Sequence, residues 1–79
     1  SVIGRNSIIN TSSSVDHDCT IGDNVHIAPG TTICGNVKIG NNCFIGAGTV
    51  IVPNVSISPN NFVKAGQTIS KNITSNKNK

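Results

Sequence analysis

A β-branched aliphatic residue recurs at every sixth position of the chain, from Ile3 to Ile69, without an insertion. A period of six fits neither the 3.6-residue period of a helix nor the simple alternation of a strand. It predicts a short strand and a bend, repeated so that one aliphatic side chain per hexad points into a shared interior. The series comprises Ile3, Ile9, Val15, Ile21, Ile27, Ile33, Ile39, Ile45, Ile51, Ile57, Val63 and Ile69.

Three such strands close a triangular coil of 18 residues, and successive coils stack as parallel strands about 4.8 Å apart. The hexads therefore predict an all-β prism of about four coils. The pattern resembles the hexapeptide-repeat, left-handed parallel β-helix. We expect residues 1–72 to form this domain and residues 73–79 to be a disordered tail.

The composition agrees with a thin prism. The 79 residues include two Phe and no Tyr, Trp or Met, too little aromatic bulk for an ordinary compact core of this size. A prism filled by one aliphatic side chain per hexad needs no bulky residues. The many Asn and Gly residues suit bends that require positive φ or tight turns. Counting the aliphatic residue as the first of each hexad, the fifth position is mostly small or β-branched.

The formal net charge of +3 is a property of the tail. Residues 1–70 hold three basic and three acidic residues, so the excess comes from Lys71, Lys77 and Lys79. A nucleic-acid surface needs Lys and Arg clustered among aromatic rings for base stacking, and the body of the chain has no such cluster, which excludes nucleic-acid binding. The chain has neither an apolar run of about 20 residues nor a signal-peptide pattern, so we expect no membrane partner and a cytoplasmic location.

The three cysteines carry no CxxC spacing, so they indicate neither a disulfide framework nor a zinc site. Cys19 and Cys43 occupy the fifth hexad position and are predicted to be packing residues, whereas Cys34 lies outside the inward positions. No base is in register with a cysteine, so we expect no thiol nucleophile. A zinc site of the carbonic anhydrase type needs three His ligands and the chain has two, so no metal is expected.

Two histidines interrupt the repeat and are the candidates for chemistry. His17 is flanked by Asp16 and Asp18, and His26 follows nine residues later. Nine residues are half a coil, so the two imidazoles should lie on opposite sides of one prism. A trimer packed side by side would bring His17 of one subunit towards His26 of the next, which makes a cleft suited to a ligand.

Histidine is well suited to remove a proton near neutral pH, and a flanking carboxylate can orient it. Asp16 and Asp18 are expected on opposite faces of a local strand, so only one should reach the His17 ring. The alternatives are an exposed Asp-His-Asp that is merely a solvated bend and an isolated His26 without a functional partner.

Adding multiples of 18 predicts the neighbours in successive coils. Phe44 and Phe62 should stack above His26, and Gly35 and Pro53 above His17. A third column holds Pro29, Ala47 and Ala65. Small residues beside stacked rings suit a long, thin, partly apolar ligand. Alternatively, the Phe pair covers a trimer interface.

The segment from Ile9 to Cys19, followed by His26-Ile27-Ala28-Pro29-Gly30, is similar to one group of bacterial enzymes. It resembles the hexapeptide-repeat sugar acetyltransferases, specifically the sialic-acid O-acetyltransferase and nucleotide-amino-sugar N-acetyltransferase group. The match covers nearly all of residues 1–70, and the Asp-His-Asp with a second His nine residues on is its most specific part.

The resemblance implies a homotrimer that transfers an acetyl group directly from acetyl-CoA to a sugar or nucleotide-sugar amine or hydroxyl. It implies that His17 is the general base, that Asp18 orients it, that His26 contacts the thioester, and that Asn10 lies near the acceptor sugar. Backbone amides that bind the pantetheine arm would map to Gly35, Ala47 and Ala65. Family members carry an N-terminal sugar-binding domain, so we expect this chain to be a C-terminal domain, with reduced activity on its own.

A non-catalytic scaffold or ice-binding prism is the rival interpretation. Such a module should show a regular Thr ladder on one flat face and no Asp-His-Asp. The Thr residues of this chain are scattered along the sequence, which favours the acetyltransferase.

Overall fold

The computed structural model describes residues 1–74 and contains twelve two-residue strands. Each strand consists of the sixth residue of one hexad and the aliphatic first residue of the next, which is why the strands recur with the hexad period. They are β1 (Val2–Ile3), β2 (Ile8–Ile9), β3 (Ser14–Val15), β4 (Thr20–Ile21), β5 (His26–Ile27), β6 (Thr32–Ile33), β7 (Lys38–Ile39), β8 (Phe44–Ile45), β9 (Val50–Ile51), β10 (Ser56–Ile57), β11 (Phe62–Val63) and β12 (Thr68–Ile69).

Every third strand pairs in parallel, which builds three four-stranded sheets. We name them face 1 (β1, β4, β7, β10), face 2 (β2, β5, β8, β11) and face 3 (β3, β6, β9, β12). The register is the same at every pairing and equals the predicted coil length; His26, for example, pairs with Phe44, and Ile27 with Ile45. The predicted left-handed parallel β-helix of about four coils is therefore confirmed.

The interior is the predicted aliphatic column. Ile27, Ile45, Ile51 and Val63 have no exposed surface, whereas Ile3, in the first coil, is 48% exposed. Burying an aliphatic side chain of this size contributes about 1.5–3 kcal/mol. Since each inner hexad buries at least one such side chain, and valines at the fifth position add to the core, the inner coils hold together without aromatic residues.

The fifth hexad position has a second role beyond its small size. Where it is Ser, Thr or Cys, its side chain donates a hydrogen bond to the backbone carbonyl of a second hexad residue, in the next coil at the same edge. This contact satisfies a carbonyl at a bend, where no strand partner exists. The pairs are Ser7 with Gly22, Ser13 with Ala28, Cys19 with Cys34, Thr31 with Gly46, Cys43 with Ser58 and Thr49 with Lys64.

The bends explain the abundance of Asn and Gly. The fourth residue of every hexad from residue 6 to residue 66 has a positive φ, between 57° and 76°. Only Gly adopts this region freely, and Asn and Asp tolerate it better than other residues. The residues are Asn6, Ser12, Asp18, Asn24, Gly30, Asn36, Asn42, Gly48, Asn54, Asn60 and Gly66.

Past β12 the chain pairs once more with face 1. Ile73 forms a parallel bridge with Ile57, its N–H donates to Ser56 O at 2.9 Å, and its carbonyl accepts from Ser58 N at 2.8 Å. The paired structure thus reaches Ile73, just beyond the predicted boundary at residue 72. Residues 75–79 of the predicted tail lie outside the described residues.

Candidate functional site

His17 lies at the edge between faces 3 and 1, in the turn of residues 16–19. We call this the His17 edge; its next two coils contribute residues 34–37 and 52–55. The His17 Nδ1 atom is 3.1 Å from Asp18 Oδ2. Its Nε2 atom is 4.0 Å from Asp16 Oδ1, which is too far for a hydrogen bond. Asp16 instead accepts the backbone N–H of His17 at 2.8 Å.

The expectation that Asp16 and Asp18 lie on opposite faces of a strand is wrong, because both belong to a turn and Asp18 has a φ of 59°. The left-handed conformation of Asp18 turns its carboxylate back to the preceding ring. The two acids therefore have different contacts. Asp16 holds the backbone of His17, and Asp18 holds its ring.

This arrangement specifies the protonation pattern of the neutral His17 ring. Nδ1–H donates to the Asp18 carboxylate, and Nε2 keeps a lone pair that can accept a proton. The His17 side chain is 77% exposed, so a substrate can reach Nε2 from solvent. The exposed pair adds little to stability, and its value lies in orientation.

Gly35 lies directly against the His17 ring in the next coil. A Cβ atom built on Gly35 would be 3.3 Å from His17 Cε1 and 3.6 Å from Nε2. Gly35 is not among the residues with positive φ, so its backbone does not require glycine. The predicted stacking of residues 17 and 35 is confirmed, and the close approach of the ring is the reason for a glycine there.

His26 lies on the outer surface of face 2, which we call the aromatic face for its outward residues Ile8, His26, Phe44 and Phe62. The predicted column is confirmed. The ring centroids of His26 and Phe44 are 4.9 Å apart, and those of Phe44 and Phe62 are also 4.9 Å apart. The planes of the two Phe rings differ by 7°. Stacked pairs of this kind contribute about 0.5–1.5 kcal/mol beyond area burial.

The structure also places Asn10 beside His26, a contact that sequence reasoning missed. Asn10 Nδ2 lies 2.9 Å from His26 Nε2 and donates to Ile27 O at 3.1 Å. The coil repeat pairs Asn10 with Ala28 and not with His26, so counting by whole coils does not find the contact. A signal was available, because residue 10 follows β2, and β2 pairs with the strand that carries His26.

The edge between faces 2 and 3 carries only alanine and glycine at residues 47–48 and 65–66. We call it the glycine edge, formed by residues 10–13, 28–31, 46–49 and 64–67. Gly30, Gly48 and Gly66 take its left-handed positions, and a Cβ atom on Gly48 or Gly66 would meet nothing within 4 Å. Ala47 and Ala65 precede two of these glycines. Backbone here can therefore be approached closely from outside.

The backbone N–H groups of Gly35, Ala47 and Ala65 donate to no partner within residues 1–74. At the third edge, between faces 1 and 2 (residues 4–7, 22–25, 40–43 and 58–61), the corresponding N–H is capped in two coils. Arg5 N donates to Asp23 Oδ1 at 2.7 Å, and Asp23 N donates to Asn41 Oδ1 at 2.8 Å. The three free donors are thus available to a ligand.

The predicted site residues form two groups on one chain. His17, Asp18 and Gly35 meet at the His17 edge, whereas Asn10 and His26 meet on the opposite face, beside the glycine edge with Ala47 and Ala65. The topology confirms that the two histidines lie on opposite sides of the prism, because face 2 is opposite the edge between faces 3 and 1. No single chain brings all seven residues together.

Two of the three cysteines have structural roles, and Cys34 is half-buried. Cys19 and Cys43 are buried, as predicted, and burial raises the pKa of the Cys43 thiol above its ordinary value, so it stays protonated at neutral pH. Residues 1–74 hold no cluster of three or more His, Cys, Asp or Glu side chains that could bind a metal ion. They also contain no helix that could cross a membrane.

Comparison with known proteins identifies the repeat. The family model described as bacterial transferase hexapeptide (six repeats) matches residues 1–35 and 36–71. Among curated proteins, no significant match is found.

Two solved structures are similar to the chain. One is a histidine-to-asparagine variant of perosamine N-acetyltransferase from Caulobacter crescentus in complex with CoA and GDP-perosamine, with a TM-score of 0.89 and 35% identity over 90% of this chain. The other is the acetyltransferase domain of PglB from Neisseria gonorrhoeae FA1090, with a TM-score of 0.89 and 29% identity over 95% of this chain.

The chain spans 34% and 45% of those two proteins, so the likeness concerns their β-helical part. The family match, by contrast, covers nearly the whole of the described chain. The chain belongs to the bacterial transferase hexapeptide (six repeats) family.

Proposed function

We propose that the chain is the catalytic β-helix of an acetyl-CoA-dependent acetyltransferase whose acceptor is the amine of a sugar or nucleotide sugar. The observation that carries the proposal is the His17–Asp18 pair, which leaves a free Nε2 lone pair at an exposed edge. The likeness to a sugar N-acetyltransferase that binds CoA supports the choice of donor and acceptor. A sugar hydroxyl is the alternative acceptor.

In the proposed reaction, the acceptor nitrogen attacks the thioester carbonyl carbon while His17 Nε2 takes one of its protons. The Asp18 carboxylate stabilises the imidazolium that forms. The tetrahedral oxyanion then collapses, the C–S bond breaks, and the CoA thiolate receives a proton from His17. The products are an N-acetylated sugar and free CoA. A positioned base of this kind contributes about 10²–10⁴-fold to the rate.

The second half of the site comes from a neighbouring subunit of a homotrimer in this proposal. Support comes from the placement of the two groups on opposite sides of one chain, where neither is complete. The aromatic face also leaves apolar surface in solvent, since Ile8 is 51% and Phe62 is 48% exposed. Packing the aromatic face near the His17 edge of a neighbour would cover that surface and join the two groups.

The pantetheine arm of acetyl-CoA is proposed to lie along the glycine edge. The free N–H groups of Ala47 and Ala65 would bind its amide carbonyls, and the absence of side chains at Gly48 and Gly66 gives it room. Gly35 would offer its N–H to the thioester end, beside His17. A row of backbone donors is suited to an extended chain of amides because both repeat along one direction.

The test combines binding and turnover. Acetyl-CoA titrated into the protein in a calorimeter should give saturable heat, and release of CoA thiol in the presence of amino-sugar nucleotides should depend on His17. The variant His17→Ala should lose about 10²–10⁴-fold in kcat and keep its oligomeric state. Near-wild-type turnover in that variant would refute the role of His17 as base.

The scaffold alternative makes a different prediction, namely that acetyl-CoA gives no heat. It also requires a regular ladder on a flat face. The outward residues of face 3 are Ser14, Thr32, Val50 and Thr68, so Val50 interrupts the one column that comes close. The structure therefore favours the transferase over the ladder.

A further inference from the structure

We infer that Asn10 is a positioning residue that selects the Nδ1-protonated tautomer of the neutral His26 ring, so that His26 serves as a hydrogen-bond donor to an oxygen acceptor. This inference deepens the proposed function and rests on it for the identity of that acceptor. It changes the role implied for Asn10, which moves from contact with the sugar to control of the second histidine.

The argument begins with the orientation of the Asn10 amide. Its Nδ2 atom lies 3.1 Å from Ile27 O, and a backbone carbonyl can only accept. If the amide were turned over, two oxygens would face each other at that distance. The Ile27 carbonyl therefore fixes the NH₂ group of Asn10 on this side.

The same NH₂ group lies 2.9 Å from His26 Nε2 and has a second proton to donate. Because the amide nitrogen cannot accept, His26 Nε2 must be the acceptor and carries no proton. A neutral imidazole with a bare Nε2 holds its proton on Nδ1.

The ring itself is held in place by stacking. Phe44 lies against one face of His26 at a centroid distance of 4.9 Å, with 25° between the planes. The Nδ1–H group forms no hydrogen bond within residues 1–74, and it is not among the enclosed side-chain atoms without a partner. It is therefore a fixed donor open to a ligand on the aromatic face.

Under the proposed function, the acceptor is the carbonyl oxygen of the thioester, which becomes an oxyanion in the transition state. A pre-oriented neutral donor stabilises that developing charge without moving a proton. His17 and His26 then have opposite tasks: His17 presents a lone pair and His26 presents an N–H.

The experiment reads the tautomer directly, from long-range ¹⁵N–¹H correlation spectra of the histidine-labelled chain at a pH where both rings are neutral. We expect His26 to show a protonated Nδ1 and a bare Nε2. In Asn10→Asp the side chain can only accept, so the proton should move to Nε2. Asn42→Asp is the matched control, an exposed asparagine on the third edge, and it should leave the His26 signals unchanged.

A wild-type His26 protonated on Nε2, or a tautomer indifferent to Asn10→Asp, would overturn the inference. Kinetics provide the second readout. Asn10→Asp should lower kcat by about 100-fold, as for loss of one oxyanion donor, with the KM of the sugar unchanged. An increase in the KM of the sugar at constant kcat would show that Asn10 binds the sugar, and it would also overturn the inference. Failure of the proposed function would be seen separately. In that case the His17→Ala variant would turn over substrate at the wild-type rate, while the His26 tautomer would still be the inferred one.

Discussion

Replacing Gly35 with Ala tests whether the His17 ring depends on the bare backbone beneath it. The added Cβ would lie 3.3 Å from His17 Cε1, whereas carbon atoms in ordinary contact are about 3.5–4.0 Å apart. The ring must therefore retreat by about 0.2–0.7 Å. Its movement strains the 3.1 Å contact with Asp18 and displaces Nε2 from its line of attack.

The expected effect on rate is a loss of about 10-fold in kcat, because a misplacement of 1 Å costs about 100-fold. A 10-fold loss corresponds to about 1.4 kcal/mol of activation free energy. The free energy of unfolding should stay unchanged or rise by about 0.4–1 kcal/mol. The backbone of Gly35 suits alanine, and the exposed His17 ring can move into solvent.

The assay pairs release of CoA thiol with denaturant unfolding of the same variant. Gly48→Ala is the matched control, because its φ of 70° should make that alanine cost about 1–2 kcal/mol of stability. Unchanged kcat in Gly35→Ala would refute the steric argument. A loss of stability equal to that of Gly48→Ala would show that Gly35 is needed by the backbone and not by the ring.

Four further outcomes follow from the geometry. Asp18→Asn should lower kcat by at least 10-fold, and Asp16→Asn should lower it less, because only Asp18 contacts the His17 ring. Equal effects of the two variants on kcat would contradict this. Gly48→Asn keeps the left-handed backbone but adds a side chain to the glycine edge, so the KM for acetyl-CoA should rise at little cost in stability. An unchanged KM would mean that acetyl-CoA binds elsewhere. Ile45→Ala should lower the free energy of unfolding by about 2–5 kcal/mol, measured by denaturant titration, since Ile45 is fully buried. Because burial raises the pKa of the Cys43 thiol, ionisation favours the unfolded chain, so the free energy of unfolding should decline as the pH rises through the range in which an exposed thiol ionises. The unfolding free energy of Cys43→Val should lack this decline.

The fold could be predicted from the sequence because one period sets every inward residue. The spacing of Ile27 and Ile45 specifies both the coil length and the register, and any slip would expose the aliphatic column. The left-handed bends could be predicted equally well, since Asn and Gly recur where positive φ is needed. Repetition turns weak local preferences into a strong combined signal.

The site was less predictable because its contacts leave the period. His17 and Asp18 are neighbours in a turn, and no spacing rule says which flanking acid meets the ring. Asn10 contacts His26, which is not its counterpart in the coil repeat, because its side chain is long enough to cross to the next coil. Such contacts depend on side-chain direction at a bend, which the coil repeat does not describe.

The hydrogen bonds from the fifth hexad position bear on how the glycine edge behaves as a surface. At this edge they occur at every step between coils, from Ser13, Thr31 and Thr49 to the carbonyls of Ala28, Gly46 and Lys64. These hydrogen bonds stabilise the edge from inside, where its glycines would otherwise leave the backbone flexible. The backbone N–H donors along this edge are thus held at the coil spacing of about 4.8 Å. A ligand that lies along it meets its contact points already spaced, and little ordering of the protein remains to oppose binding.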